Sequence, residues 1–204
     1  MEPAAPTPPE TPPTFSPSEI LRFYWLKDHG LLRALWTNFY KLDDQVWRQN
    51  HPSPARLAQL KAMGAASVLS LRGPGAVVSR MEAAACAKIG LPFHTVSLRA
   101  LTLPKRAQLL MLFDAFREMP KPMVIHCKSG SDRTGLASLI YLHAFKGVPL
   151  DEARKQLSLR YIHNPWGKAR IVNRLLDAYA KAHAETGIGM EEWVRDHYDP
   201  ATLP

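Results

Sequence analysis

The sequence predicts a single-domain α/β fold: a central, mostly parallel sheet flanked by helices. Three observations point there. From Pro54 onward, short apolar runs of strand length alternate with stretches of helical period, and strands interleaved with helices build parallel sheets. Gly and Pro clusters punctuate that alternation where the chain must turn, as at Gly73 to Gly75. A length of 204 residues with 46% hydrophobic content suffices for one ordinary core and leaves little for a second.

Taken in order, residues 1–17 hold seven prolines and only Phe15 as a large apolar side chain. Such a segment cannot offset its own ordering entropy and is expected to be a disordered tail. Residues 18–41 follow as an amphipathic helical segment, with Ser18 as a cap and Ile20, Leu21, Tyr24, Leu31, Leu32, Leu35, Trp36 and Phe39 near helical spacing. Gly30 interrupts it. Packing on its own domain is the expected role, and Phe23, Trp25, Trp36 and Tyr40 beside Arg22, Lys27, Arg33 and Lys41 also suit peripheral contact with an anionic membrane.

The domain proper is expected over residues 42–199. Its pattern predicts a helix near Ala55 to Met63, a strand over Ala66 to Leu71, a helix near Val78 to Ile89 and a strand near Pro92 to Leu98. A helix from Lys105 to Glu118 leads through Pro120 and Pro122 to a short apolar run, Met123 to His126. From Gly135 to about Asp199 the pattern is helical, with breaks at Gly147 to Pro149, Asn164 to Gly167 and Gly187 to Gly189.

Composition narrows the function. The 26 Lys and Arg against 18 Asp and Glu leave +8 at pH 7, which favours an anionic ligand. Nucleic acid is not expected, because there is no zinc-finger spacing, RNP-like aromatic motif or dense basic helix. Cys86 and Cys127 are too few for a disulfide framework, and the histidines show no metal spacing, so neither metal nor cofactor is expected. The longest stretch free of charged residues, Thr134 to Phe145, has 12 residues and is too short to span a bilayer. With no export signal and free thiols, the expected location is the cytoplasm.

The informative stretch is Met123-Val-Ile-His126-Cys127-Lys128-Ser129-Gly130-Ser131-Asp132-Arg133-Thr134-Gly135. It places a thiol and a guanidinium six positions apart between an apolar run and an apolar helix. The five residues between them let the backbone curl into a cradle with N–H groups inward, and Gly130 can take the positive φ that the curl needs. A helix starting near Thr134 aims its positive dipole end at the same place. That field favours a Cys127 thiolate, and Arg133 can grip a phosphate bidentately for in-line attack on phosphorus. Thr134 can hydrogen-bond the thiolate, and His126 can fix the loop from behind.

This run resembles the signature loop of the cysteine-dependent protein tyrosine and dual-specificity phosphatases. Val46-Trp-Arg-Gln-Asn-His-Pro-Ser53 and Ala66-Ser-Val-Leu-Ser-Leu-Arg72 resemble the start of the core in atypical dual-specificity phosphatases, so the similarity covers roughly residues 42–179. It implies a dual-specificity-phosphatase-like fold, Cys127 as nucleophile, Arg133 as phosphate clamp, and the main chain of Lys128, Ser129, Gly130, Ser131, Asp132 and Arg133 as anion cradle.

The general acid departs from the family pattern. Phosphatases of this type carry an Asp some thirty residues before the cysteine, and residues 83–118 contain only Asp114 and Glu118 as carboxylates. Asp132 is the alternative, since myotubularin-type and Sac-type lipid phosphatases resemble this chain in carrying Asp before the loop arginine. On the rim of the cradle it can protonate the leaving oxygen, or it can instead orient Arg133 or cap the helix. Lys128 after the cysteine resembles phosphoinositide phosphatases and points to multiply phosphorylated substrates; a solvent-facing lysine is the plainer reading. Arg72, Arg99, Arg160 and His163 are further candidates for an anionic pocket. Cys86, in an alanine-rich helical pattern, is expected as a small buried residue, with a resolving thiol for Cys127 as the sharper reading.

The expected activity is hydrolysis of phosphomonoesters through a phosphocysteine intermediate. Substrates are phosphorylated protein (phosphotyrosine, phosphoserine or phosphothreonine) or phosphoinositide and inositol phosphate. The alternatives are a catalytically weak phosphate-binding module and a rhodanese-like sulfurtransferase.

Overall fold

A computed structural model describes residues 36–75 and 77–203. The proline-rich stretch 1–17, and all of segment 18–41 before Trp36, lie outside the described residues. What is described of that segment is not helical. Asn38 takes a left-handed φ of 48°, which no continuing helix tolerates, and Tyr40–Lys41 form strand β1. This strand turns back antiparallel onto β2 (Val46–Gln49), pairing Tyr40 with Arg48. The turn is tied by Asp43, whose Oδ1 accepts the N–H groups of Gln45 and Val46 at 2.8 Å each.

The order along the chain then follows the expected alternation. Helix α1 (Pro54–Ala62) is capped by Ser53, which accepts from the Arg56 N–H, and Pro54 sits where a missing N–H is harmless. Strand β3 (Ser67–Ser70), helix α2 (Val77–Lys88), strand β4 (Phe93–Thr95), helix α3 (Arg106–Glu118) and strand β5 (Met123–His126) come next. Strand β4 is shorter than the apolar run predicts because it is an edge strand paired only with β3. Helix α4 (Asp132–Ile140) begins two residues before Thr134 and passes into a π-helical turn at Tyr141–Phe145. Beyond it, α5 (Leu150–Arg154), α6 (Val172–Thr186) and α7 (Met190–Asp196) are separated by more irregular chain than the helical pattern predicts, including 3-10 turns at Leu159–Tyr161 and Lys168–Ile171. That irregular chain is held by side chains, since Tyr161 and His163 are both buried. Gly187 closes α6 at a φ of 73°.

The sheet has the order β1-β2-β5-β3-β4, parallel except for β1. Central β5 pairs with β2 and β3 in matched register, so that Gln49, His126 and Ser70 end level with one another. Period-two alternation sends Val46, Leu69, Met123 and Ile125 to a large core with α3, α4, α6 and α7. Trp47, Val68 and Val124 go to a smaller core with Leu57, Leu60 and Cys86 of α1 and α2. Each fully buried Leu or Phe contributes about 2 kcal/mol of transfer free energy, and both faces are covered, as a parallel sheet requires. In open parallel sheets ligands bind outside the carboxyl ends of the strands. Cys127 follows β5 directly at that edge.

Candidate active site

The segment from Cys127 to Arg133 leaves β5 and curls into α4. Its shape is set by five contacts, one on each successive carbonyl, of which those on Lys128, Ser129 and Gly130 come from other parts of the chain and that on Ser131 is the first bond of α4. The Cys127 carbonyl lies 3.1 Å from His126 Nδ1, that of Lys128 accepts the His51 N–H at 3.2 Å, and that of Ser129 accepts Asn38 Nδ2 at 3.1 Å. The Gly130 carbonyl accepts an Arg48 guanidinium N–H at 2.6 Å, and the Ser131 carbonyl accepts the Gly135 N–H at 2.6 Å. With the carbonyls held outward, the N–H groups of Gly130 and Thr134 turn to the Cys127 sulfur. Gly130 stands at φ 72°, and a Cβ there would come within 2.6 Å of the Gln49 carbonyl oxygen. No other residue fits.

The thiol itself is buried. Burial alone pushes Cys127 up, but the Arg133 charge, the Thr134 hydroxyl and the N–H groups of Thr134 and Gly130 outweigh it and hold the thiol below its ordinary value. The Thr134 hydroxyl has no other hydrogen-bond partner among the described residues. Arg133 donates weakly to the Leu71 carbonyl at 3.4 Å, and its buried Nε–H meets no acceptor among the described residues, so that edge of the guanidinium can turn to a phosphate.

Asp132 is the first residue of α4, on the rim. Its Oδ1 lies 2.8 Å from His163 Nδ1 and accepts from the Ser131 hydroxyl at 3.2 Å. Among the described residues no hydrogen bond or ion pair joins its carboxylate to the Arg133 guanidinium. A crevice beside it is lined by Leu98, Arg99, Arg133, Ala169 and Ile171. Asp114 is exposed on α3 and paired with Arg117 at 3.0 Å, away from the cradle. Arg160 lies over the rings of Tyr40 and Tyr161. Arg99 lines the crevice, and Lys128 is half-buried on the cradle itself.

Two supports of the site are residues to which the sequence pattern assigns no role. Arg48 is wholly buried, donates to Gln156 Oε1 at 2.6 Å and to the Gln156 carbonyl at 3.2 Å besides Gly130, and lies 3.9 Å over the Tyr161 ring. Burial lowers its pKa to about 10, which still leaves it charged at neutral pH. The second is Glu82 of α2, buried against His51 and His126. Its signal in the sequence is the spacing Val78, Glu82, Cys86, which puts a carboxylate on the buried stripe of a helix. Cys86 belongs to the small core on the other sheet face, and burial, then Glu82, pushes its thiol up to about 12. That is the environment of a structural thiol.

A model of the tyrosine phosphatase family matches residues 46–199. TpbA of P. aeruginosa is 21% identical with a TM-score of 0.55, over 72% of this chain and 91% of that one. Tk-PTP in its active form is 21% identical with a TM-score of 0.51, over 70% and 98%. The core catalytic domain of the PP-IP phosphatase SIW14 from S. cerevisiae, complexed with citrate, is 15% identical with a TM-score of 0.52, over 74% and 94%. A search of curated proteins finds no match. Among the described residues no helix is long and apolar enough to cross a membrane. At such low identities the solved structures establish the fold, while the family match spans β2 to β5, the cradle and the helices after it. The chain belongs to the tyrosine phosphatase family.

Proposed function

We propose that this phosphatase hydrolyses phosphomonoesters through a phosphocysteine intermediate on Cys127. One observation carries the reading: a thiol held below its ordinary value at the floor of a loop whose carbonyls are all tied outward, with Arg133 alongside. The thiolate attacks phosphorus in line, and the sulfur–phosphorus bond forms as the ester oxygen–phosphorus bond breaks. Arg133 and the cradle N–H groups hold the three equatorial oxygens as charge spreads over them. The leaving oxygen takes a proton from Asp132. Both protein contacts of that carboxyl fall on Oδ1, which leaves Oδ2 for the exchanged proton. Water then attacks the phosphocysteine, gives its proton to Asp132, and releases phosphate and the thiolate.

The substrate classes are phosphorylated protein and phosphoinositide or inositol phosphate. A solved structure of a TpbA cysteine variant holds phosphotyrosine, and SIW14 is described as a PP-IP phosphatase, so relatives of this fold are tied to both kinds. Sulfur transfer of the rhodanese type fits poorly with membership in a phosphatase family, and Cys127 with Arg133 intact fits poorly with a pure binding module. The test is metal-free phosphate release by wild type and Cys127→Ser from phosphotyrosine, phosphoserine and phosphothreonine peptides, phosphoinositides and inositol polyphosphates. Turnover by wild type alone supports the mechanism and names the substrate; equal turnover by Cys127→Ser refutes it. For the acid, Asp132→Asn should slow an alkyl phosphate at least tenfold more than a phenolic one, whose leaving group needs little protonation. Equal impairment removes Asp132 from that role.

A further inference from the structure

Eight large apolar side chains are exposed among the described residues, and four of them sit in the two loops that flank the site. Leu101 belongs to the chain between β4 and α3, and Leu159, Ile162 and Trp166 to the chain between α5 and α6. Arg99 and Thr102 of the first loop, with Ala169 and Ile171 of the second, line the crevice at Asp132 and Arg133. Exposed apolar surface gathered at one place marks an interaction site, whereas single exposed residues do not.

The second loop is held in this shape. Tyr161 and His163 are buried, and Asn38 Nδ2 donates to the Tyr161 carbonyl at 3.2 Å as well as to Ser129 of the cradle. Between those two anchors Ile162 stands at φ 61°, where a β-branched residue is strained, and its side chain is left exposed. Trp166 sits on a turn closed by Asn164, whose Oδ1 accepts the Trp166 N–H at 3.0 Å and whose carbonyl accepts that of Gly167 at 3.1 Å. The indole at its tip is 75% exposed.

The charge around these side chains has one sign. Residues 153–176 hold six Lys and Arg and no Asp or Glu, and residues 83–113 hold four and none. Arg99, Lys168 and Arg170 are exposed and have no carboxylate partner among the described residues. Protruding Trp, Ile and Leu among unpaired cations suit the headgroup layer of an anionic bilayer, where the rings and aliphatic tips leave water and the cations meet phosphates. A peptide would instead need a groove. The crevice between the loops has about 20 Å³, room for one water, and the apolar side chains project from the rim without lining it.

We propose that these two loops form a membrane-docking rim: Leu101, Leu159, Ile162 and Trp166 enter the headgroup layer of an anionic bilayer, Arg99, Lys168 and Arg170 meet its phosphates, and the cradle takes its substrate phosphate from a lipid headgroup. The inference rests on the phosphatase reading of Cys127 and selects phosphoinositide among the substrate classes which that reading leaves open.

Vesicle sedimentation of the full chain tests the surface. The protein should bind vesicles of phosphatidylcholine with about 30 mol% phosphatidylserine, bind phosphatidylcholine alone far less, and lose binding as salt rises. Trp166→Ser should weaken binding about tenfold, and Lys168→Gln and Arg170→Gln about fivefold each, with kcat/KM for a soluble aryl phosphate within about twofold of wild type. A second arm offers mixed phosphatidylinositol monophosphates in the same vesicles and as their deacylated, soluble headgroups. Trp166→Ser should cut turnover of the vesicle form about tenfold and leave the soluble form within about twofold. Absence of vesicle binding overturns the proposal, and so does binding that all three variants leave unchanged, which would place the contact elsewhere in the chain. It is also overturned if wild type does not turn over the vesicle form, or if Trp166→Ser impairs phosphotyrosine peptide and not the vesicle form, which would make the rim a protein-binding surface. Vesicle binding needs no chemistry, so Cys127→Ser should bind as wild type does. A failure of docking is thus distinct from turnover by Cys127→Ser, which would strike the phosphocysteine mechanism instead.

Discussion

Replacing Arg48 by methionine should cost about 3 kcal/mol of stability and lower Tm by about 10 °C while weakening the site. The guanidinium makes three hydrogen bonds, to the Gly130 carbonyl and to two oxygens of Gln156, and stacks on Tyr161. Bonds to a charged group contribute about 1.5–3 kcal/mol each, so their loss, with three acceptors left in a buried place, is worth roughly 4–9 kcal/mol. Against this, burying the charge is itself unfavourable. A pKa lowered from 12.5 to about 10 corresponds to about 3 kcal/mol that the variant regains. The difference leaves roughly 1–6 kcal/mol, and at about 2–4 °C per kcal/mol for a domain of this size the midpoint is the quoted fall. Because the Gly130 carbonyl loses its tie, the cradle loosens, and kcat/KM for an aryl phosphate should fall about tenfold to a hundredfold. Arg48→Lys should resemble Arg48→Met, since an ammonium cannot span Gly130 and Gln156 together. Thermal melts and initial rates on the same preparations make the measurement. Arg48→Lys with Tm within 2 °C of wild type and unchanged kcat/KM would show that the fork is not what holds the loop.

Three other changes test neighbouring parts of the argument. Gly130→Ala meets both a positive φ and the Gln49 carbonyl at 2.6 Å, so phosphate or vanadate affinity should drop at least tenfold by calorimetry. Asp43→Ala removes the acceptor of two turn N–H groups and of Tyr141 and the partner of Lys146, and should cost about 2 kcal/mol in urea unfolding while leaving kcat/KM within twofold. For the thiol, a depressed folded pKa means the unfolded state holds the proton over a pH range where the folded state does not. The resulting stability is present above the ordinary thiol range, declines as pH falls, and is gone below the folded pKa. The stability gap between wild type and Cys127→Ser should therefore widen as pH rises toward about 9, and a gap independent of pH would contradict the depressed thiol.

The nucleophile, the clamp and the strand before them were legible because they are contiguous: thirteen residues carry strand, cradle and helix start, and local chemistry decides their shape. The supports were not legible for the opposite reason. Arg48 and Asn38 reach carbonyls 82 and 91 positions away, and only the pairing of β2 beside β5 brings them there. Glu82 hides within an alanine-rich helix, where one carboxylate reads as a solvent-facing residue until the buried face is known. Segment 18–41 shows the converse failure. Its apolar spacing continues to Phe39, but Asn38 has turned left-handed and the next residues belong to a hairpin, so a helical period misled where a short strand competes with it.

The supports also explain how a loop can be kept in a shape it would not choose. N–H groups gathered around one point repel one another when no anion is bound, and the loop relaxes unless its carbonyl ends are fixed. Here each carbonyl has a contact of its own, and two of those come from side chains of neighbouring strands, the guanidinium of Arg48 on Gly130 and the ring of His126 on Cys127. The Arg48 charge on the outward Gly130 carbonyl polarises that peptide unit while it orders the cradle. It follows that losses at the two ends should not be independent. A variant lacking both Arg48 and Glu82 should bind vanadate less tightly than the product of the single losses predicts, because the remaining tie no longer holds the loop's shape. Simple multiplication of the two losses would mean that each end acts locally, and the shared-cradle account would fall.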